Sequence, residues 1–188
     1  MDVLLIGAGG HGRVVADALR AAGHRISAYA DPRPSAWLDA VQLDDDQALA
    51  TAAGHPVAVG LGGVRPEDLE SRLAIVHRLV AARAGLAPVI HPAATVSADA
   101  VLGAGTVVMA GAVIQSGARL GMAVIVNTGA VVEHDAEIAD GAHVAPRATV
   151  LGGAQVGACA MIGAGAVVLP GARVPAASLV PALTRYPT

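Results

Sequence analysis

Glu133-His134-Asp135 is the one place in this sequence where a histidine stands between two carboxylates. An imidazole titrates near neutrality, and a neighbouring carboxylate can orient the ring and raise its basicity. Either Glu133 or Asp135 can fill that part. The surrounding segment, Asn127 to Glu137, is the most polar stretch of an otherwise aliphatic half-chain. His143 follows nearby in the same half. The other five histidines have blander settings: His11 in a glycine loop, His24 and His55 at glycine-containing turns, His77 on a helical stretch, His91 before a proline. Cys159 is the sole cysteine, so no intrachain disulfide can form, and its position reads as a small corner residue rather than a nucleophile. The chain contains no Lys, which removes lysine-nucleophile and Schiff-base chemistry.

The elements that must hold these groups follow from a period of six. From Val96 through Leu102, Val108 and Ile114 to Val180, every sixth residue is aliphatic, and the residue two places earlier is nearly always small. Six fits neither a helix nor a flat strand. It fits a short strand plus a corner, repeated, as in hexapeptide β-helices. Glycine recurs three places after the aliphatic residue, where a tight corner needs a positive φ. His134 lies two past the inward Val132, near a corner. His143 lies one before Val144, so it faces outward from a flat side. If three hexads close one coil, the partner of His134 in the next coil is Gly152, eighteen residues on. A glycine there leaves open space and a bare N–H beside the histidine, which suits a thioester carbonyl and its developing oxyanion. Otherwise Gly152 is only a flexible corner and His134 a surface residue.

The first half has different periods. Val3–Ile6, Ile26–Ala30, Val57–Leu61 and Leu86–Ile90 read as strands. Helices fall between them, through about Ala22, over Gln47–Ala53 and over Glu67–Ala84 with Pro66 at the opening. Alternation of this kind predicts a parallel sheet of βαβ units. We expect a Rossmann-like α/β domain over residues 1–91, an all-β left-handed parallel β-helix over 92–180, and a tail over 181–188. The first domain and the tail are placed to cap the two open ends of the stack. After the first strand comes Gly7-Ala8-Gly9-Gly10-His11-Gly12, with Asp31 about twenty residues later. On paper this is a dinucleotide fingerprint, with backbone N–H groups for a phosphate and an acid for a hydroxyl. The domain is only half of a two-lobed dinucleotide fold, so a nucleotide sugar fits better than NAD; a purely structural turn is the remaining reading. Gly9, Gly10, His11, Asp31 and the loop at Gly62 are its candidate contacts. His11 is either a sugar or phosphate contact or an exposed turn residue.

Composition sets the outer limits. Of 188 residues, 54% are hydrophobic and only 2% aromatic, so the core is Val, Ile, Leu and Ala. Net charge is −3 with no basic run, which disfavours nucleic-acid binding. No uninterrupted apolar run suits a membrane span or a signal peptide, so a cytoplasmic protein is expected.

Three segments together resemble a known family: Leu5-Ile6-Gly7-Ala8-Gly9-Gly10-His11-Gly12, Ile90-His91-Pro92, and Asn127 through Asp135. They are similar to the bacterial sugar acetyltransferases of the sialic-acid O-acetyltransferase and bacillosamine-type N-acetyltransferase group (NeuD, PglD, PerB). The resemblance implies transfer of acetyl from acetyl-CoA to an amino or hydroxyl group of a nucleotide-linked sugar, for bacterial surface-glycan synthesis. It implies His134 as general base with Asp135 beside it, His143 against the acetyl group, Gly152 N–H toward the thioester carbonyl, and Ala164 as a further acetyl-CoA contact. It implies that the glycine loop, Asp31 and Asn127 serve the sugar substrate, that no metal is required, and that a homotrimer forms with acetyl-CoA between neighbouring prisms. The departure is at the end: the hexads stop near Val180, and Val180-Pro181-Ala182 runs into Leu183 without the usual Lys. Two rival expectations stand beside this one. A γ-carbonic-anhydrase-like metal hydrolase would need three His ligands, and only His134 and His143 lie within the hexads. A non-catalytic nucleotide-sugar scaffold would fit the short tail.

Overall fold

The computed structural model describes residues 1–187. Its second half is a left-handed parallel β-helix whose coil is eighteen residues long. Seventeen two-residue strands, β5 (Val89–Ile90) to β21 (Arg185–Tyr186), form three faces of five, six and six strands. Every pairing steps by one coil: Val131 lies beside Thr149, Glu137 beside Gln155, His143 beside Met161. Each strand donates backbone N–H bonds to the next coil, as Val131 N does to Ala148 O at 2.9 Å. The six-residue pattern explains why. The aliphatic residue of each hexad points inward, with the small residue before it at the wall. Val132, Ile138, Val144, Ala136 and Ala142 are all at or near zero exposure in one continuous core.

The corners take the left-handed backbone the glycine spacing predicts. Gly105, Gly117, Gly141 and Gly153 have φ between +66° and +73°. Six non-glycine residues hold the same conformation at the equivalent places: Ala123, Asp135, Arg147, Cys159, Ala177 and Leu183, with φ from +48° to +60°. For L-residues this costs roughly 1–2 kcal/mol each, so the stacked ladder on either side must impose it. Asp135 is the cheapest of the six, because a short polar side chain tolerates this region.

The first half is a four-stranded parallel sheet in the order β3-β2-β1-β4. The strands are β1 (Asp2–Ile6), β2 (Arg25–Ala30), β3 (Val41–Leu43) and β4 (Val57–Val59), with helices α1 (Gly10–Ala21), α2 (Asp45–Ala52) and α3 (Pro66–Ala81). α2 opens with a capping box between Asp44 and Gln47, and α3 with the expected proline. Glycine is required where β1 turns into α1: a side chain on Gly12 would collide with the Gly7 carbonyl.

Four expectations change here. Val89–Ile90 is not a strand of the first sheet; it pairs with Val107–Val108 and starts the β-helix. The fourth strand of the sheet is the short, largely exposed Val41–Leu43, whose polar edge gave no periodic signal. The segment from 181 is not simply a tail, since Arg185–Tyr186 continues the hexads and pairs with Val167–Val168. The first half does not cap the end of the prism. It lies along one flat face, burying the outward-pointing Val107, Ile125, His143 and Met161 beneath it. Val107, Ile125 and Met161 are apolar, and a sheet face of that kind must be covered. Helix α3 runs beside one prism edge, which is narrow enough for close approach because its corners are Gly105, Ala123 and Gly141.

Because the coils stack on one thin core, a hole in one layer should weaken the whole. Ile138→Ala should lower the unfolding free energy by about 3 kcal/mol, while Arg119→Ala on the exposed face of the adjacent coil should change it by less than about 0.5 kcal/mol; urea titration compares the two.

Candidate active site

His134 sits on the edge opposite the covered face. The coil register sets it above Gly152, and its carbonyl accepts from Gly153 N at 3.0 Å. The fit is close: a β-carbon on Gly152 would lie 2.6 Å from His134 Nε2. Only glycine leaves that nitrogen its place. Asp135 resolves the choice between the two carboxylates, since its Oδ2 lies 2.9 Å from His134 Nδ1. A carboxylate accepts, so Nδ1 carries a proton, and in the neutral ring Nε2 presents a lone pair over Gly152. The hydrogen bond from Asp135 is the main reason the His134 pKa lies above its ordinary value. Both side chains are well exposed, 65% and 73%, so the pair is open to a substrate and screened by solvent. Gly152 N–H has no backbone acceptor among the described residues.

His143 has the opposite setting. It faces outward as expected, but the first domain covers it, leaving it 5% exposed. Nδ1 lies 2.8 Å from the Gly63 carbonyl, and Nε2 lies 3.1 Å from Asn127 Nδ2. A carbonyl can only accept, so Nδ1 holds the proton and Nε2 receives the Asn127 amide. Asn127 is oriented in turn by Thr128 N–H on its Oδ1, at 2.8 Å. Burial lowers the His143 pKa, helped by the Arg72 charge and opposed by the Gly63 hydrogen bond. His143 is therefore a neutral imidazole with both nitrogens engaged.

The glycine loop meets this second cluster. Gly62 lies under the His11 ring, where an added β-carbon would be 2.9 Å from His11 Cβ. His11 is not the exposed turn residue that one reading allowed. Its Nε2 is buried without a partner, and its pKa is lowered to about 4, by burial first and then by Arg72 and His143. Gly9 and Gly10 open the N-terminus of α1 with free space at both α-carbons and no side-chain cap. Asp31 is already engaged: its two oxygens accept from Ala8 N at 2.8 Å and Arg33 N at 2.9 Å. Its first task is to hold the loop. Beside it opens a cleft of about 250 Å³, lined by Gly9, Arg33, Ser35 and Trp37 among others. Sequence reading missed Trp37, whose indole N–H donates to the Ala8 carbonyl at 3.1 Å. It also missed Ser35, whose buried Oγ has no partner. A lone Trp in a loop of small and polar residues could have drawn attention to the first; nothing local marks the second.

The sequence-derived residues thus form two groups within one chain. His134, Asp135 and Gly152 share the edge opposite the covered face. His143, Asn127, His11 and Gly62 gather where the first domain meets the prism, with Ala164 further along the edge that carries Asn127. No group of three or more His, Cys, Asp or Glu with metal-binding geometry occurs among the described residues, and no helix among them is long and apolar enough to cross a membrane.

Comparison with known proteins bears on this geometry. The family described as the PglD N-terminal domain matches residues 2–76. The acetyltransferase domain of PglB from Neisseria gonorrhoeae, solved with acetyl coenzyme A, is 32% identical with a TM-score of 0.88, covering 97% of this chain and 88% of that one. PerB from Caulobacter crescentus, solved with CoA and GDP-perosamine, is 35% identical with a TM-score of 0.88, over 98% of this chain and 88% of that one. WeeI from Acinetobacter baumannii, at 17% identity and a TM-score of 0.56, shares the fold. No curated protein matches.

Two neutral imidazoles, His143 buried and His11 half-buried, have a consequence for stability. A histidine whose folded pKa lies below its unfolded value stabilises fully above about pH 6.5, and that contribution is lost as pH falls toward the folded value. For His11 the window runs from about 6.5 down to about 4, worth roughly 3 kcal/mol in all. Urea titrations at pH 7 and pH 4 should show a smaller loss of stability for His11→Asn than for the wild-type chain.

Proposed function

We propose that this chain, which belongs to the family of acetyl-CoA-dependent sugar acetyltransferases that includes PglD and PerB, acetylates the amino group of a nucleotide-linked sugar with His134 as general base. The observation that carries the mechanism is the His134 Nε2 lone pair poised over Gly152 while Asp135 holds Nδ1–H. In the step proposed, Nε2 takes a proton from the acceptor nitrogen as that nitrogen attacks the thioester carbon. Gly152 N–H donates to the oxygen that becomes negative. The C–S bond then breaks, and CoA leaves as a thiol with the proton returned by the imidazolium. No covalent enzyme intermediate is needed. An amine is favoured over a hydroxyl because PerB, at 35% identity, was solved with the amino-sugar nucleotide GDP-perosamine.

The first domain, residues 1–91, is assigned to the nucleotide sugar. Gly9 and Gly10 offer free backbone N–H groups at the helix start, and the Arg33–Trp37 cleft lies beside them. Asp31 holds this loop and Asn127 faces the same junction. The β-helix is assigned to acetyl-CoA, with His143 and Ala164 along its course. Within one chain the His134 edge and the His143 cluster lie on opposite sides of the prism. A homotrimer that sets the edge of one prism beside the junction of its neighbour would complete the site, and we assign that assembly to the cytoplasm.

Positioned base catalysis contributes roughly 10²–10⁴ in rate. His134→Ala should therefore lower kcat at least about 10²-fold with little change in KM, measured by CoA release with an amino-sugar nucleotide; near-normal turnover would remove His134 from the mechanism. Gly152→Ala should be similarly damaging, since its methyl occupies the space of Nε2. In Asp135→Asn the acid limb of the kcat/KM profile should move to lower pH, because the group that raises the His134 pKa is gone. A mixture of His134→Ala and His143→Ala chains, co-refolded, should regain part of the activity that each lacks alone if the site spans two chains.

A further inference from the structure

Arg72 is the largest fully buried side chain among the described residues, 1% exposed, and no carboxylate among them pairs with it. It leaves helix α3 and ends among three backbone carbonyls from three separate segments. Nε donates to Leu61 O at 2.8 Å, one terminal nitrogen to Ala123 O, and the other to Gly105 O at 3.2 Å. Ala123 and Gly105 are successive corners of the prism edge along which α3 lies. Leu61 belongs to the loop after β4. Burial lowers the Arg72 pKa only to about 10, so it remains a cation at neutral pH.

The loop that Arg72 grips is the one that touches both His143 and His11. Two residues beyond Leu61, the Gly63 carbonyl takes the His143 Nδ1 proton at 2.8 Å. Between them, Gly62 lies against His11. The guanidinium is planar, so fixing its two ends on the prism fixes the direction of Nε, and with it the height of the loop above His143. We propose that Arg72 is a positioning residue: by holding the Leu61 carbonyl it sets the Gly63 carbonyl over His143 and thereby selects the Nδ1–H tautomer that lets Nε2 accept from Asn127. The kinetic part of this proposal rests on the assignment of His143 to the acetyl-transfer site; the tautomer part does not.

The chemistry of the side chain allows its two functions to be separated. A lysine at 72 carries its ammonium near the guanidinium carbon, within reach of the prism carbonyls, but has only methylenes where Nε stood. A glutamine places its amide nitrogen where Nε stood and ends there, so it can keep Leu61 and must release the prism. Arg72→Lys should therefore hold its melting temperature near wild type while His143 shows mixed tautomers in ¹⁵N spectra of the imidazole at pH 7.5. Its KM for the amino-sugar nucleotide or its kcat should worsen roughly tenfold or more, since misplacement by about 1 Å can cost up to about 10²-fold. Arg72→Gln should melt lower and also show mixed tautomers, because its amide can keep Leu61 but no longer ties that carbonyl to the prism. Leu73→Ala, which loosens α3 at the Gly141 corner and keeps all three Arg72 hydrogen bonds available, should lower the melting temperature and leave the His143 tautomer unchanged. The proposal falls if Arg72→Lys leaves the His143 spectrum at wild type, or if all three variants change the spectrum in proportion to the melting temperature. If one variant does not fold, the spectrum of the other still decides. A clean tautomer separation in a wild-type chain that transfers no acetyl group would count against the proposed function alone.

Discussion

Backbone N–H groups along the prism walls donate to carbonyls of a neighbouring coil, and the strand register advances by eighteen residues at every step. Sequence spacing becomes spatial position through it. A slip of one residue would turn the aliphatic wall outward and expose the core, so the register is enforced by the same burial that stabilises the stack. The ladder also holds Asp135 in a left-handed conformation, bringing its carboxylate back to the ring of the preceding residue. A relaxed backbone at 135 would not ensure that approach.

The two histidines of the prism differ by environment rather than by sequence. His134 lies on an open edge beside a carboxylate, with one nitrogen free. His143 lies under a second domain, with its nitrogens committed to Gly63 and Asn127. Solvent and a negative neighbour favour the charged form of the first, and burial beside Arg72 favours the neutral form of the second. One is set up to exchange a proton and the other to keep it. The contrast needs both the stacked prism and the domain lying along one of its faces.

The contact between the domains joins an apolar face to a single buried cation. Val107, Ile125 and Met161 supply the area, and Arg72 satisfies three carbonyls that would otherwise be buried without donors. Small corner residues let α3 approach closely enough for this. At Ala123 the corner also packs: its methyl group is fully buried in the cluster that α3 joins, at a place where glycine would be less strained.

Hexads from Val96 to Val180, the coil length they imply, and the meeting of His134 with Gly152 were all readable in the chain. They rest on a strictly local rule, inward aliphatic and small corner, repeated without a slip. The alternating half of the molecule was readable as βαβ units for a similar reason. What lay beyond the sequence depended on contacts between distant segments. Val89–Ile90 has the same apolar composition whether it joins a sheet or a prism, and only the neighbour at Val107–Val108 decides. Asp31 fits a ribose contact in pattern, but the tertiary fold turns both its oxygens toward Ala8 and Arg33. His143 faces outward by register, and the covering of that face by a domain eighty residues earlier in the chain gives it its partner at Gly63. Period fixes which way a side chain points; what it then meets is set by long-range packing, which no local spacing encodes.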